Sequence, residues 1–169
     1  MATRKIEKTK SELKPISFRI ASIRTNEFYE KDYTQYGIEE GKIEQGYCNI
    51  GFGLKVDAEK GTLTFPIKVD FYVKEDEKAS LFGVETAHSF VIKDFKSQIS
   101  QDKEGKYDIP DYLIERMLGI ALSATRGILV ASVTIPEYKR ILLPLIDTKK
   151  LILVMRNNPE FGIAESSKN

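Results

Sequence analysis

The residues of this chain that could do chemistry are few, and their spacing argues against most of it. His88 is the only histidine and Cys48 the only cysteine. A metal site or a nucleophile–base pair needs several such groups converging, and these two lie on different predicted strands. His88 therefore reads as a structural or partly exposed residue, and Cys48 has no partner for an internal disulfide. The stretch GYCNIGFG, residues 46–53, holds a GxG motif, yet it sits inside a strand pattern rather than ahead of a helix, so a dinucleotide reading fails. There is no phosphate-cradling G-x-x-x-x-G-K-[ST] loop, no G-x-S-x-G elbow and no zincin pattern. Carboxylates are scattered over turns and polar faces. No catalytic residue, metal or cofactor is expected, and the function must lie in recognition.

Charge does not supply that recognition. Lys and Arg number 26 and Asp and Glu 25 in a chain of 169 residues, so no overall field attracts nucleic acid or an acidic membrane. With 41% hydrophobic residues the chain can build one ordinary core. The lone cysteine and the charged start MATRKIEKTKSELK, which has no apolar signal core, point to the cytoplasm. The sequence divides into a basic arm over 1–14, a single domain over 15–156 and a polar tail over 157–169.

The elements that would position a binding surface are legible in the periodicity. Ile16, Phe18 and Ile20 alternate as a strand, and a phase change at Ile23 predicts a bulge. The segment YEKDYTQYGIEEG, residues 29–41, has no period and carries Tyr29, Tyr33 and Tyr36. Such tyrosines either make an adhesive surface or clamp the loop to its own core. Cys48, Ile50, Phe52, Leu54 and Val56 alternate with Asn49, Gly51, Gly53, Lys55 and Asp57, leaving a shallow trough on the glycine side. Leu63 to Val73 alternates throughout, and Pro66 removes a ladder donor, so that point belongs at an edge or a bulge. Phe82, Val84, Phe90 and Ile92 share a face with Thr86 and His88. The expected fold is α+β: a four-stranded antiparallel sheet packed on one face by a long C-terminal helix, plus a short second helix.

That long helix is Asp111 to Val133, with Asp108 or Asp111 as its possible cap around Pro110. At about 100° per residue its polar positions fill an arc of only about 100°. Leu113, Met117, Ile120, Ala124 and Ile128 suit the sheet. Ile114, Leu118, Leu122 and Leu129 form a second flank needing another cover, either a partner subunit or the interior of a monomer. Glu115, Arg116 and Arg126 break the apolar run well short of a span of about 20 residues, so membrane insertion is not expected. Beyond it, Pro136 and Pro144 bracket an extended stretch, and Asp147 caps a short helix carrying Leu151, Ile152 and Val154.

In order and pattern this arrangement resembles the bacterial export chaperone family SecB. The local similarity is greatest in TRGIL, Thr125 to Leu129, in RILLPLIDTKKLI, Arg140 to Ile152, and in the opening strand ISFRI, Ile16 to Ile20. The resemblance implies a homo-dimer or homo-tetramer that holds unfolded polypeptide clients in apolar grooves without ATP. An unfolded client offers apolar side chains and unpaired backbone, so its contacts are expected on the exposed aromatics and trough of Tyr29, Tyr33, Tyr36, Tyr47 and Phe52, the tyrosine loop before the glycine-spaced strand. The resemblance implies that Leu151 and Leu153 complete the wall. The export chaperone is strongly acidic and docks on the translocase motor through that charge. This chain is near neutral with a basic arm, which weakens the expectation of a motor and leaves room for a dedicated client such as an antitoxin. A small-ligand-binding module or a structural adaptor is the alternative from outside the class.

Overall fold

A computed structural model describes residues 16–39, 43, 47–72, 80–103, 105–157 and 164–165. The expected arm, Val73 at the end of the alternating run and most of the expected tail lie outside these residues. Strand β1 (Phe18–Glu30) leads through a 3-10 turn (Tyr33–Tyr36) to β2 (Tyr47–Phe52), β3 (Lys55–Asp57), β4 (Thr62–Tyr72) and β5 (Phe82–Ile92). A one-turn helix α1 (Phe95–Gln98) precedes the small hairpin of β6 (Ser100–Gln101) and β7 (Tyr107–Asp108). Then come the long helix α2 (Asp111–Ser132), a second 3-10 turn (Tyr138–Arg140), α3 (Thr148–Asn157) and β8 (Ala164–Glu165). The main sheet runs β1-β5-β4-β3-β8, with β2 also on β4, and it is antiparallel except where β8 joins β3. The class is α+β, as the periodicity predicts, and β8 is an addition to the expected four strands.

One face of the sheet forms the core floor because its alternating residues are all apolar or satisfied. Phe82, Val84, Thr86, His88 and Phe90 lie opposite Phe71, Val69, Ile67, Phe65 and Leu63, and each is 2% exposed or less. Helix α2 covers β4 and β5 on this face. Burying each large side chain there contributes about 1.5–3 kcal/mol. At the end of the sheet the rings of Phe71, Phe82 and Tyr138 stack in series, with centroids 4.5 and 4.6 Å apart.

Two irregularities follow from single residues. In an antiparallel ladder a residue's N–H and C=O point the same way, and the Pro66 carbonyl accepts from Gly53 N–H at 3.1 Å with no N–H to return. The partner strand breaks there, at Gly53 and Leu54, into β2 and β3. In β1 the register slips between Ile20 and Ser22 and again between Thr25 and Glu27. The first slip is the bulge anticipated near Ile23, and it keeps Ile20 and Ile23 on the helix side, opposite Phe90 and His88.

The structure corrects two expectations about the helices. Ile114, Leu118, Leu122 and Leu129 are not an oligomer interface: they are 3, 0, 3 and 1% exposed within a single chain. On this side α3 folds back against α2. Arg156 near its end reaches Asp111 Oδ1 at 2.7 Å and the Ile109 carbonyl at 3.0 Å. Neither Asp108 nor Asp111 caps α2. Pro110 occupies that position, its carbonyl accepting from Leu113 and Ile114, while Asp111 lies in the first turn. Asp147 does cap α3 as expected, its Oδ1 accepting from the amides of Lys149 and Lys150 at 3.0 and 3.3 Å.

Candidate functional site

The one histidine is completely buried, on the same face as the phenylalanines around it. Its Nε2 lies 2.9 Å from both Thr86 Oγ1 and Thr125 Oγ1, and the two hydroxyls are 2.9 Å apart. Thr125 donates to the Ala121 carbonyl, so it must accept from the others. Nδ1 has no partner. A buried N–H left without an acceptor costs more than a bare lone pair, so the proton belongs on Nε2, which donates to the hydroxyls. Burial pushes the His88 pKa below its usual value. This buried cluster ties β5 to α2. Cys48 is half-buried and burial pushes its thiol pKa up, which disfavours the reactive thiolate.

The tyrosines expected to form one adhesive loop divide between roles. Tyr33 is 9% exposed, edge-on to Tyr138, which itself donates to the Lys31 carbonyl at 2.7 Å. Tyr33 is thus a clamp and not a surface residue. Tyr29 is half-buried above Gly83, and its hydroxyl reaches Asp70 Oδ1 at 2.6 Å and Ser80 Oγ at 2.5 Å. Of the four tyrosines expected to touch a client, Tyr36 and Tyr47 stand out into solvent, at 41 and 49% exposure. Phe52 and Leu151 pack half-buried against the core, and Leu153 is exposed.

The stretches 125–129 and 140–152 meet in space. From TRGIL, Thr125 enters the His88 cluster, whereas Arg126 turns out and donates from Nε to the Leu143 carbonyl and from NH2 to the Pro144 carbonyl, both at 2.9 Å. An extended stretch has no ladder of its own, so these bonds fix residues 141–147 along α2. Leu143 then points inward at 2% exposure while Leu142 and Leu145 point outward at 59 and 92%. Leu153 and Val154 of α3, which packs on α2, are also exposed, at 62 and 52%. The sequence reading chose Leu151 and Leu153 here and missed Leu142 and Leu145. The Pro144 that prevents helix was the available signal for an exposed, extended run.

A second apolar strip lies on the other side of α2. Strand β1 runs beside the helix, with Arg116 over the Phe18 ring at one end and the Glu30 carboxylate taking the Thr134 and Ile135 amides at the other. Between these ties Ile20 and Ile23 of β1 and Ile120 of α2 remain 46, 43 and 37% exposed. Open space surrounds Gly119 and Gly127, and the outer edge of β1 is unpaired among the described residues.

Among the described residues no group of three or more His, Cys, Asp or Glu could hold a metal ion, and no helix is long and apolar enough to cross a membrane. No family model and no curated protein match the chain. Among solved structures it is similar to a protein of unknown function from Streptococcus agalactiae, at 13% identity over 79% of this chain and 100% of that one. The TM-score of 0.29 is too low for that likeness to carry any argument about fold or function.

Proposed function

We propose that this protein is an ATP-independent, SecB-like holding chaperone, which keeps unfolded polypeptide on the exposed apolar side chains of Leu142, Leu145, Leu153 and Val154. The observation carrying the reading is the Arg126 staple. It holds a leucine 92% exposed on an immobilised backbone, where burial against a client would contribute about 1.5–3 kcal/mol. Tyr36 and Tyr47 extend the exposed aromatic surface. Tyr33, Tyr29 and the flank of Ile114 and Leu118 drop out of the proposed contacts, because each serves the interior of the chain. The protein works as a homo-oligomer through the strip of Ile20, Ile23 and Ile120, and its clients are either exported chains or a dedicated partner such as an antitoxin. The near balance of charge favours the dedicated client over docking on a translocase motor.

The test is suppression of aggregation of a reduced, unfolded model protein, with and without ATP. Wild-type protein should suppress equally in both, and Leu145→Ser with Leu153→Ser should lose most of that effect at unchanged melting temperature. No suppression by wild type, or release driven by nucleotide, would overturn the reading. A small-ligand module would ignore unfolded chains altogether.

A further inference from the structure

The face of the sheet away from α2 carries a feature that client holding does not use. There the cross-strand row Ser22, Ser89, Thr64 and Lys55 sets three hydroxyls and an ammonium side by side, since Ser22 opposes Ser89, Ser89 opposes Thr64, and Thr64 opposes Lys55. The next row begins at Arg24, opposite Ala87. Small residues on this floor make it concave: Ala87 and Ser89 are 5 and 9% exposed although no element covers them on this side among the described residues. The result is a trough of about 470 Å³ that Arg24, Lys55 and Lys60 all line.

The charges around it are unequally committed. Lys60 is paired with Asp57 at 3.3 Å, and Glu85 accepts from Asn26 at 3.1 Å. The side chains of Arg24 and Lys55 have no hydrogen bond or ion pair among the described residues. Three cations face two carboxylates, and the uncommitted pair stands at opposite walls, about 14 Å apart across three strand spacings and two residues apart along the strands. Each side chain is long enough to lean over the hydroxyls between them. Thr64 Oγ1 and Ser89 Oγ are bonded to one another at 2.9 Å, which leaves their remaining lone pairs and one proton for a visitor.

We propose that this trough binds a small organic anion, with its phosphate or carboxylate group held by Arg24 and Lys55 and its polar remainder on the Ser22, Ser89 and Thr64 hydroxyls. An open, hydroxyl-floored site of this size suits a charged polar ligand better than an apolar one. The site lies on the opposite side of the sheet from α2, so it stands or falls separately from client holding.

Backbone amide spectra of the full chain, titrated at constant ionic strength with inorganic phosphate and separately with citrate, test it. Saturable shifts at Ser22, Thr64 and Ser89 are expected with at least one probe, and the responding probe identifies the anionic group. Arg24→Gln with Lys55→Gln should weaken that binding by about tenfold or more while the melting temperature holds. Absence of saturable shifts with both probes, shifts centred elsewhere, or equal affinity in the double variant would each overturn the proposal.

Discussion

His88 is the most informative single residue, because it is the only histidine and its one ring resonance reports the buried cluster directly. Protonation would place a charge and a second N–H donor where Nδ1 finds no acceptor. The folded-state pKa is therefore depressed below the unfolded value of about 6.5. The contribution to stability is complete above about pH 6.5 and is lost as pH falls through that value toward the folded pKa, at most about 1.4 kcal/mol per pH unit. Titration of the ring by NMR should give a midpoint below that of the urea-unfolded chain; an equal or higher midpoint would contradict the buried arrangement. Gly83 gives a second prediction at this scale. A Cβ there would lie 2.5 Å from the Val69 carbonyl and 2.7 Å from the Tyr29 hydroxyl. Gly83→Ala should cost about 1–3 kcal/mol in urea unfolding, and a neutral result would mean that Tyr29 does not lie across the strand.

Among the elements, the stretch 141–147 depends most on one distant side chain. Arg126→Met keeps the aliphatic stem but removes both donors to the Leu143 and Pro144 carbonyls. Global stability should fall by about 1–2 kcal/mol, since the bonds are charge-assisted but partly solvated. Hydrogen exchange should rise selectively over 141–147 while β4 and β5 keep their protection. Uniform loss of protection would show instead that Arg126 supports the whole core. The position of β1 follows similar logic: its two bulges and its ties at Phe18 and Glu30 set its edge beside α2, so its free side is shaped and not a flat template for indiscriminate pairing.

For the whole molecule, the decisive contrast is between the two flanks of α2. Leu118→Arg puts an unpaired charge at a position with 0% exposure and should unfold the chain outright, lowering the melting temperature sharply rather than only dissociating subunits. Ile23→Arg with Ile120→Arg touches residues already 43 and 37% exposed, so the single chain should tolerate it. If the β1–α2 strip is the surface between copies, that double variant should halve the mass seen by light scattering at unchanged secondary structure. A wild-type protein that scatters as a monomer at micromolar concentration would remove this surface from the assembly.

The order of the four long strands and the two main helices, the bulge in β1 and the Asp147 cap were legible in the sequence, whereas Pro66, expected at an edge or a bulge, lies inside the sheet and breaks the strand opposite it. Those that were legible are set by local stereochemistry: alternation, a change of its phase, a side chain within reach of its own helix terminus. Tertiary structure alone decided which apolar residues are spent. Leu118 and Leu145 have the same side chain, yet the first is buried within the core, while an arginine seventeen or more residues upstream holds the second in water. Periodicity records which residues share a face; whether that face is covered depends on contacts between segments far apart in the chain, and those form only when the fold closes.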